Sequence, residues 1–235
     1  MPKRLLLALI SACVFLPFQI WAQVEGSLSS RQKEHSKLFS NYKKPKKLSH
    51  IQPEKKSEIV VTYRLSPPLE EYSQEGAQPF LQTISCNSDA IVSATARSES
   101  SSVTANGDFI FTDHDFQIDK IFKTNSLAPF GPGTTIVVTR AGGKKLVNGR
   151  MITAVDEDFP PFQVGEQYLL FLRYVPSTGA YQAFNEGSFE LVNGRVLPVA
   201  SDAVWKVRIY RGQLESVFLT EVSTAVSQQC GGRRP

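Results

Sequence analysis

The sequence predicts a mainly β fold, a small antiparallel barrel with hairpins and a C-terminal α-helix. Three observations support this prediction. Runs of β-branched and aromatic residues recur from Cys86 onward, Asn-Gly and Ser-Thr-Gly turns separate them, and the apolar spacing becomes helical after Gln213. An export signal and a polar, basic segment precede this part of the chain.

Residues 1–22 have the pattern of a secretory signal peptide. Two basic residues precede the apolar stretch 5–20, and small residues ending at Ala22 form a cleavage site. There are two alternatives. A membrane anchor would need a longer stretch without Pro17, and lipidation at Cys13 would need a polar sequence directly after it. We therefore expect cleavage after Ala22, no transmembrane segment in the mature form, and a periplasmic or extracellular location.

Residues 23–79 are predicted to be a disordered arm or linker. Between residues 29 and 58 there are nine Lys or Arg against three Glu, a net charge of +6. Few apolar residues and no steady period occur there, so little burial can offset the ordering entropy. Such an arm could touch an anionic surface or serve as a solvated spacer. The near absence of aromatic residues favours the spacer, and no nucleic-acid partner is expected.

Residues 80–230 are predicted to form the folded domain, and 231–235 a tail. Ala90–Ala96 and Thr134–Arg140 are strand candidates, and Tyr168–Val175 is an apolar run long enough for a fully buried strand. Val204–Ile209 alternates and is predicted to be a closing strand. Helical spacing follows at Leu214, Val217, Phe218, Val222 and Val226.

The pentapeptide LVNGR occurs twice, at 146–150 and 191–195. Its flanks diverge, so the two copies do not mark a repeat architecture. Asn-Gly between apolar pairs suits a type I′ hairpin turn, because both central residues need positive φ. Asn106-Gly107 is given the same interpretation, and three such turns predict at least three hairpins.

Cleavage after Ala22 would remove Cys13 and leave Cys86 and Cys230. In an oxidising compartment, an isolated pair of cysteines most simply forms one disulfide.

The stretch CNSDAIV, which begins at Cys86, is similar to the opening of the first barrel strand in the tissue inhibitors of metalloproteinases, of the netrin-like superfamily. Residues 116–123 (FQIDKIFK) and 168–170 (YLL) resemble later strands of that family. The resemblance covers residues 86–230 in patches and implies an OB-type barrel. In the family, the matching cysteine pairs with one near the end of the domain, and Cys86 and Cys230 occupy these positions.

The chain lacks the N-terminal motif with which members of that family inhibit proteases. Family inhibitors begin with Cys-x-Cys, which chelates the zinc of the protease, whereas residues 74–85 contain no cysteine. The resemblance therefore implies the barrel and one disulfide, and a protease inhibitor without the chelating N-terminus is only an alternative.

Motifs for catalysis are scarce in the sequence. On a strand, Asp113 and Asp115 share one face and His114 the other, which argues against a joint zinc site. Asp156-Glu157-Asp158 lacks the spacing of a calcium loop, and no Gly-x-Ser-x-Gly elbow or Cys/His dyad is available. No cofactor or metal is predicted.

The sequence therefore favours a non-catalytic exported module that binds a protein or an extracellular polymer. An extracytoplasmic hydrolase that uses clustered carboxylates is the alternative. In either case the candidate surface is acidic, and it consists of Asp113, Asp115, Asp156, Glu157 and Asp158.

Overall fold

The computed structural model describes residues 28–39, 48, 58–63, 80–201 and 205–228. The predicted signal peptide, Cys230 and the tail lie outside these residues. In chain order, the helices and strands are α1 (Ser30–Phe39), β1 (Glu58–Tyr63), α2 (Phe80–Asn87), β2 (Ala90–Val103), β3 (Ile110–Lys123), β4 (Thr135–Ala141), β5 (Gly143–Val147), β6 (Arg150–Asp156), β7 (Gln167–Val175), β8 (Ala180–Val192), β9 (Arg195–Pro198), α3 (Trp205–Arg208) and α4 (Glu215–Ser227).

Five strands form a closed ring. β2 pairs antiparallel with β3 and β7, β3 pairs with β4, and β7 pairs with β8. Parallel pairing of β4 with β8, at Val138 with Tyr181 and Thr139 with Gln182, closes the ring. β9 extends β8 on the outside. The predicted mainly β barrel with hairpins and a C-terminal helix is confirmed.

Strand β7 is apolar along most of its length because it is buried on both faces. Tyr168, Leu170 and Leu172 point into the core of the barrel, whereas Leu169 and Phe171 pack against the layer of α2, α3 and α4. Two-sided burial is the usual reason for an uninterrupted apolar strand. The helices therefore cover one side of the barrel and leave its other side to the remaining elements.

A second, three-stranded sheet covers one end of the barrel. β6 pairs parallel with β1 and antiparallel with β5. Ile152 and Ala154 of β6 form an apolar cluster with Ile110 of β3 and Leu48. This cluster fixes the small sheet against the long β2–β3 hairpin.

The two LVNGR copies form type I′ turns, as predicted. φ is 50° at Asn148 and 51° at Asn193, and both following glycines have positive φ. They join β5 to β6 and β8 to β9. The interpretation of Asn106-Gly107 was wrong in type, because only Gly107 has positive φ. A wider loop, closed by the Thr104 and Phe109 backbone groups, joins β2 to β3 there.

The predicted closing strand at Val204–Ile209 is wrong for its described part, since residues 205–208 form the short helix α3. Val207 and Tyr210 are buried three residues apart, whereas Ile209 is 73% exposed. Val207 and Tyr210 pack against the apolar layer of α2 and α4. This packing favours a helix here, although the alternation of apolar residues predicts a strand.

The predicted disordered arm contains two ordered elements, so the prediction does not hold for α1 and β1. Ser29 and Gln32 form a reciprocal capping box at the start of α1. At its end, the Phe39 ring stacks on Phe109 and Phe111, with centroid distances of 6.0 and 5.6 Å. Because a helix of ten residues is marginal alone, this docking is what stabilises α1.

Cys86 lies near the end of α2. Both other cysteines lie outside the described residues, so the pairing with Cys230 stays a prediction. Among the described residues, no helix has the length and apolar character needed to cross a membrane.

Candidate functional site

His114 lies in the middle of β3, on the face that points into the barrel. Side chains alternate along the strand, so His114 shares its face with Phe116 and Ile118 of the barrel core. Its ring meets the Phe162 ring edge-on at 5.2 Å, and the residue is 1% exposed. The histidine is therefore part of the apolar interior at the end of the barrel.

A cavity of about 370 Å³ adjoins His114 between the barrel and the three-stranded sheet. This volume lies at the lower end of the range for small-molecule sites. The strands β2 to β6 and the loop after β6 each contribute to its walls. The polar or charged lining residues are Glu99, Thr112, His114, Arg140, Lys144, Thr153, Asp156 and Gln163, and the apolar ones include Ala154, Val155, Pro161, Phe162 and Val164.

The imidazole of His114 is neutral at physiological pH. Burial is the main cause, and the nearby Arg140 guanidinium adds to it, so that the pKa of His114 falls to about 3. Asp113 acts in the opposite direction and is too weak to reverse the shift. Neither ring nitrogen has a hydrogen-bond partner among the described residues; the nearest carboxylate oxygen, of Glu99, is 3.9 Å from Nδ1.

Arg140 supplies a fixed cation at the cavity wall. Its guanidinium donates to the backbone carbonyls of Phe159 and Pro160. It also lies over the Phe159 ring at 4.1 Å and the Phe162 ring at 5.4 Å. Such cation–π contacts are strongest where solvent is excluded, and Arg140 is 3% exposed. The loop after β6 is thereby locked to β4.

The structure does not bring the five predicted acidic residues together on one surface. Asp113 and Asp115 face away from His114: Asp113 is buried under α1, and Asp115 accepts a hydrogen bond from Ser98. Asp156, the last residue of β6, and Asp158, in the loop that follows, are buried, and only Glu157 is exposed.

The loop carboxylates are engaged locally, and one of them reaches the cavity. Asp156 accepts a hydrogen bond from the Asp158 amide, and Asp158 accepts one from the Ser201 hydroxyl. Of the five, only Asp156 lines the cavity. No group of three or more His, Cys, Asp or Glu able to hold a metal ion occurs among the residues that the structure describes.

A second polar cluster lies beneath α1. The buried His35 contacts the Asp113 carboxylate through Nδ1 at 2.7 Å and the Thr178 hydroxyl through Nε2 at 2.9 Å. Arg31 lies 3.8 Å from the other Asp113 oxygen. Carboxylate, imidazole and hydroxyl thus stand in the order found in nucleophilic triads.

The backbone around Thr178 does not form the oxyanion hole that usually accompanies such a triad. The amides of Thr178 and Gly179 both donate to the Val175 carbonyl, so neither is directed at a developing oxyanion. The cluster instead connects α1 to β3 and to the β7–β8 turn.

Sequence reasoning missed three residues that matter most here: His35, Glu99 and Arg140. The capping box Ser29–Gln32 was a local signal for α1 and hence for an ordered His35. For Glu99 and Arg140 there was no local signal, because they meet His114 only through strand pairing. Comparison with protein-family models and with curated protein sequences gives no match for this chain.

Proposed function

We propose that the protein is an exported, non-catalytic binding module whose binding site is the His114 cavity. One observation carries the proposal. His114 is almost completely buried, both of its ring nitrogens lack a partner among the described residues, and it lines a cavity large enough for a small molecule. Export rests on the pattern of residues 1–22, which lie outside the described residues.

Buried polar groups in folded proteins nearly always have hydrogen-bond partners. A histidine without them costs about 1–3 kcal/mol relative to a satisfied or apolar side chain. A ligand in the cavity that reached the His114 ring would supply the missing partners. A ligand that pairs with both nitrogens would offset this cost. Molecules that cannot form these hydrogen bonds would leave the nitrogens unpaired and would therefore bind more weakly.

The same features argue against acid–base catalysis in the cavity. A general base works best with a pKa near the ambient pH, whereas the pKa of His114 is about 3. The Arg140 guanidinium is held by two carbonyl groups rather than presented to a reacting atom. Binding is therefore the better supported role.

A ligand-observed NMR screen with a fragment library tests the proposal, with the histidine ring nitrogens isotope-labelled. Fragments that bind should shift the His114 ring resonances and should bind His114→Leu at least about tenfold more weakly. Leu127→Ala, at a 78% exposed position that does not line the cavity, is the matched control and should bind normally. Equal binding to wild type and His114→Leu would overturn the proposal.

A second candidate is a hydrolase, and the Asp113–His35–Thr178 cluster is the observation that favours it. There Thr178 would be the nucleophile and His35 the base. Its test is turnover of ester and peptide substrates by wild type, Thr178→Val and the neighbouring control Ser177→Ala. Turnover lost only in Thr178→Val would establish the hydrolase, and no turnover by wild type would exclude it for these substrates.

A further inference from the structure

We infer that the His114 cavity takes an uncharged, hydroxyl-rich ligand of the size of one or two sugar rings. The inference rests on the proposed function and goes beyond it by naming the class of ligand. It is argued from the charges on the cavity walls, from the hydrogen-bonding capacity of its polar groups, and from its size.

The charged groups of the cavity balance. Glu99 and Asp156 contribute two carboxylates, and Arg140 and Lys144 contribute two cations. A ligand with a net charge would therefore meet one wall group of its own sign for each group of opposite sign. Such walls give it no net attraction to offset the loss of its hydration. His114 cannot compensate, because its imidazole stays neutral. The walls therefore select against net charge.

The hydrogen-bonding groups of the walls require both donors and acceptors from the ligand. The Glu99 carboxylate only accepts, the Lys144 ammonium only donates, and the neutral His114 ring does one of each. A hydroxyl group donates and accepts and can rotate to suit its neighbours. A single ring with several hydroxyls can therefore serve all three side chains together, which an isolated amide, with its donor and acceptor fixed, cannot.

The size and the apolar part of the lining fit the same class. Val155 and Val164 offer apolar surface to the C–H groups of a sugar ring. The cavity is closed on one side by the barrel core, so it suits a compact ligand better than an extended peptide. A nucleic-acid strand would need a basic, largely open groove, and here two carboxylates face the site.

Three sugars that share one ring give a matched test: glucose, glucuronate and glucosamine are neutral, anionic and cationic. Galactose, mannose and N-acetylglucosamine widen the neutral set, and N-methylacetamide is the amide probe. Binding is followed by ligand-observed NMR in every protein and, where His114 is present, through its ring resonances. At least one neutral sugar should bind at least about tenfold tighter than both charged analogues. His114→Leu should abolish this binding, and Glu99→Gln should weaken it while improving the relative affinity for glucuronate.

The possible failures are distinguishable. If a charged analogue or the amide binds as tightly as every neutral sugar, or if library fragments shift His114 while no sugar does, the ligand class is wrong and the binding site stands. If neither sugars nor fragments perturb His114, both the ligand class and the proposed function are refuted.

Discussion

His114 should make the protein less stable as the pH falls. In the unfolded chain a histidine has a pKa near 6.5, whereas in the folded state the pKa of His114 is about 3. Between about pH 3 and pH 6.5 the unfolded state binds a proton at this histidine and the folded state does not, so a lower pH favours unfolding. The stabilising contribution is fully present above about pH 6.5 and is lost at up to about 1.4 kcal/mol per pH unit below it. The loss reaches about 5 kcal/mol near pH 3.

Urea unfolding of wild type, His114→Leu and His114→Asn at several pH values measures this effect. Other titrating groups largely cancel when each variant is compared with wild type. Relative to either variant, wild type should lose about 2.6 kcal/mol between about pH 7.5 and pH 4.5. At the higher pH, His114→Leu should already be more stable than wild type by about 1–3 kcal/mol, because it removes the unpaired buried nitrogens.

The two variants separate the causes. His114→Asn keeps a polar side chain that does not titrate, so it should flatten the pH dependence without the gain at neutral pH. If wild type and both variants lost stability in parallel between these pH values, the ring would not be kept neutral in the folded state, and the reasoning about the cavity would fail.

Three further predictions concern the fold. Phe39→Ala should weaken the docking of α1 by about 3 kcal/mol and should therefore speed tryptic cleavage at Lys33 roughly a hundredfold. The melting temperature of the barrel should not change, and an unchanged rate of cleavage would contradict the docking of α1. Asn193→Ala should cost about 1 kcal/mol in urea unfolding, because φ is 51° there, and no loss would contradict the type I′ turn. In Gly143→Ala the new Cβ would approach the side-chain oxygens of Thr112 and Ser101 to under 3.0 Å, so calorimetry should show a loss of at least about 2 kcal/mol; wild-type stability would contradict that packing.

The strands and two of the hairpin turns were predictable because their signals are local. Asn148-Gly149 and Asn193-Gly194 need positive φ at adjacent positions, and few other dipeptides tolerate it. Asn106-Gly107 carries the same letters, yet its hairpin closes with a wider loop, in which Asn106 accepts a hydrogen bond from Thr104. The dipeptide predicts a turn at this place, and the neighbouring side chains decide its type.

The site was not predictable in the same way, because burial on β3 depends on elements far away in the chain. The alternation of side chains around His114 suggested that one face of β3 is exposed to solvent and the other is buried. In the structure α1 covers Asp113 on one face, and the loop carrying Phe162 covers His114 on the other. Both neighbours are therefore buried, although the sequence predicted that Asp113 lies on an acidic surface.

The two buried histidines on either side of β3 provide the sharpest contrast in the molecule. His35 has both ring nitrogens paired, to Asp113 and Thr178, and therefore holds α1 in place. Replacing it with Gln should leave the buried Asp113 carboxylate poorly paired and cost about 3 kcal/mol, measured as faster hydrogen exchange of the α1 amides. His114 is equally buried, but its ring nitrogens have no partner among the described residues, so its replacement by Leu should change the stability in the opposite direction. A residue whose loss stabilises the protein while abolishing binding is retained for its ligand rather than for the fold, so equal destabilisation by the two changes would remove the main support for a binding site in the cavity.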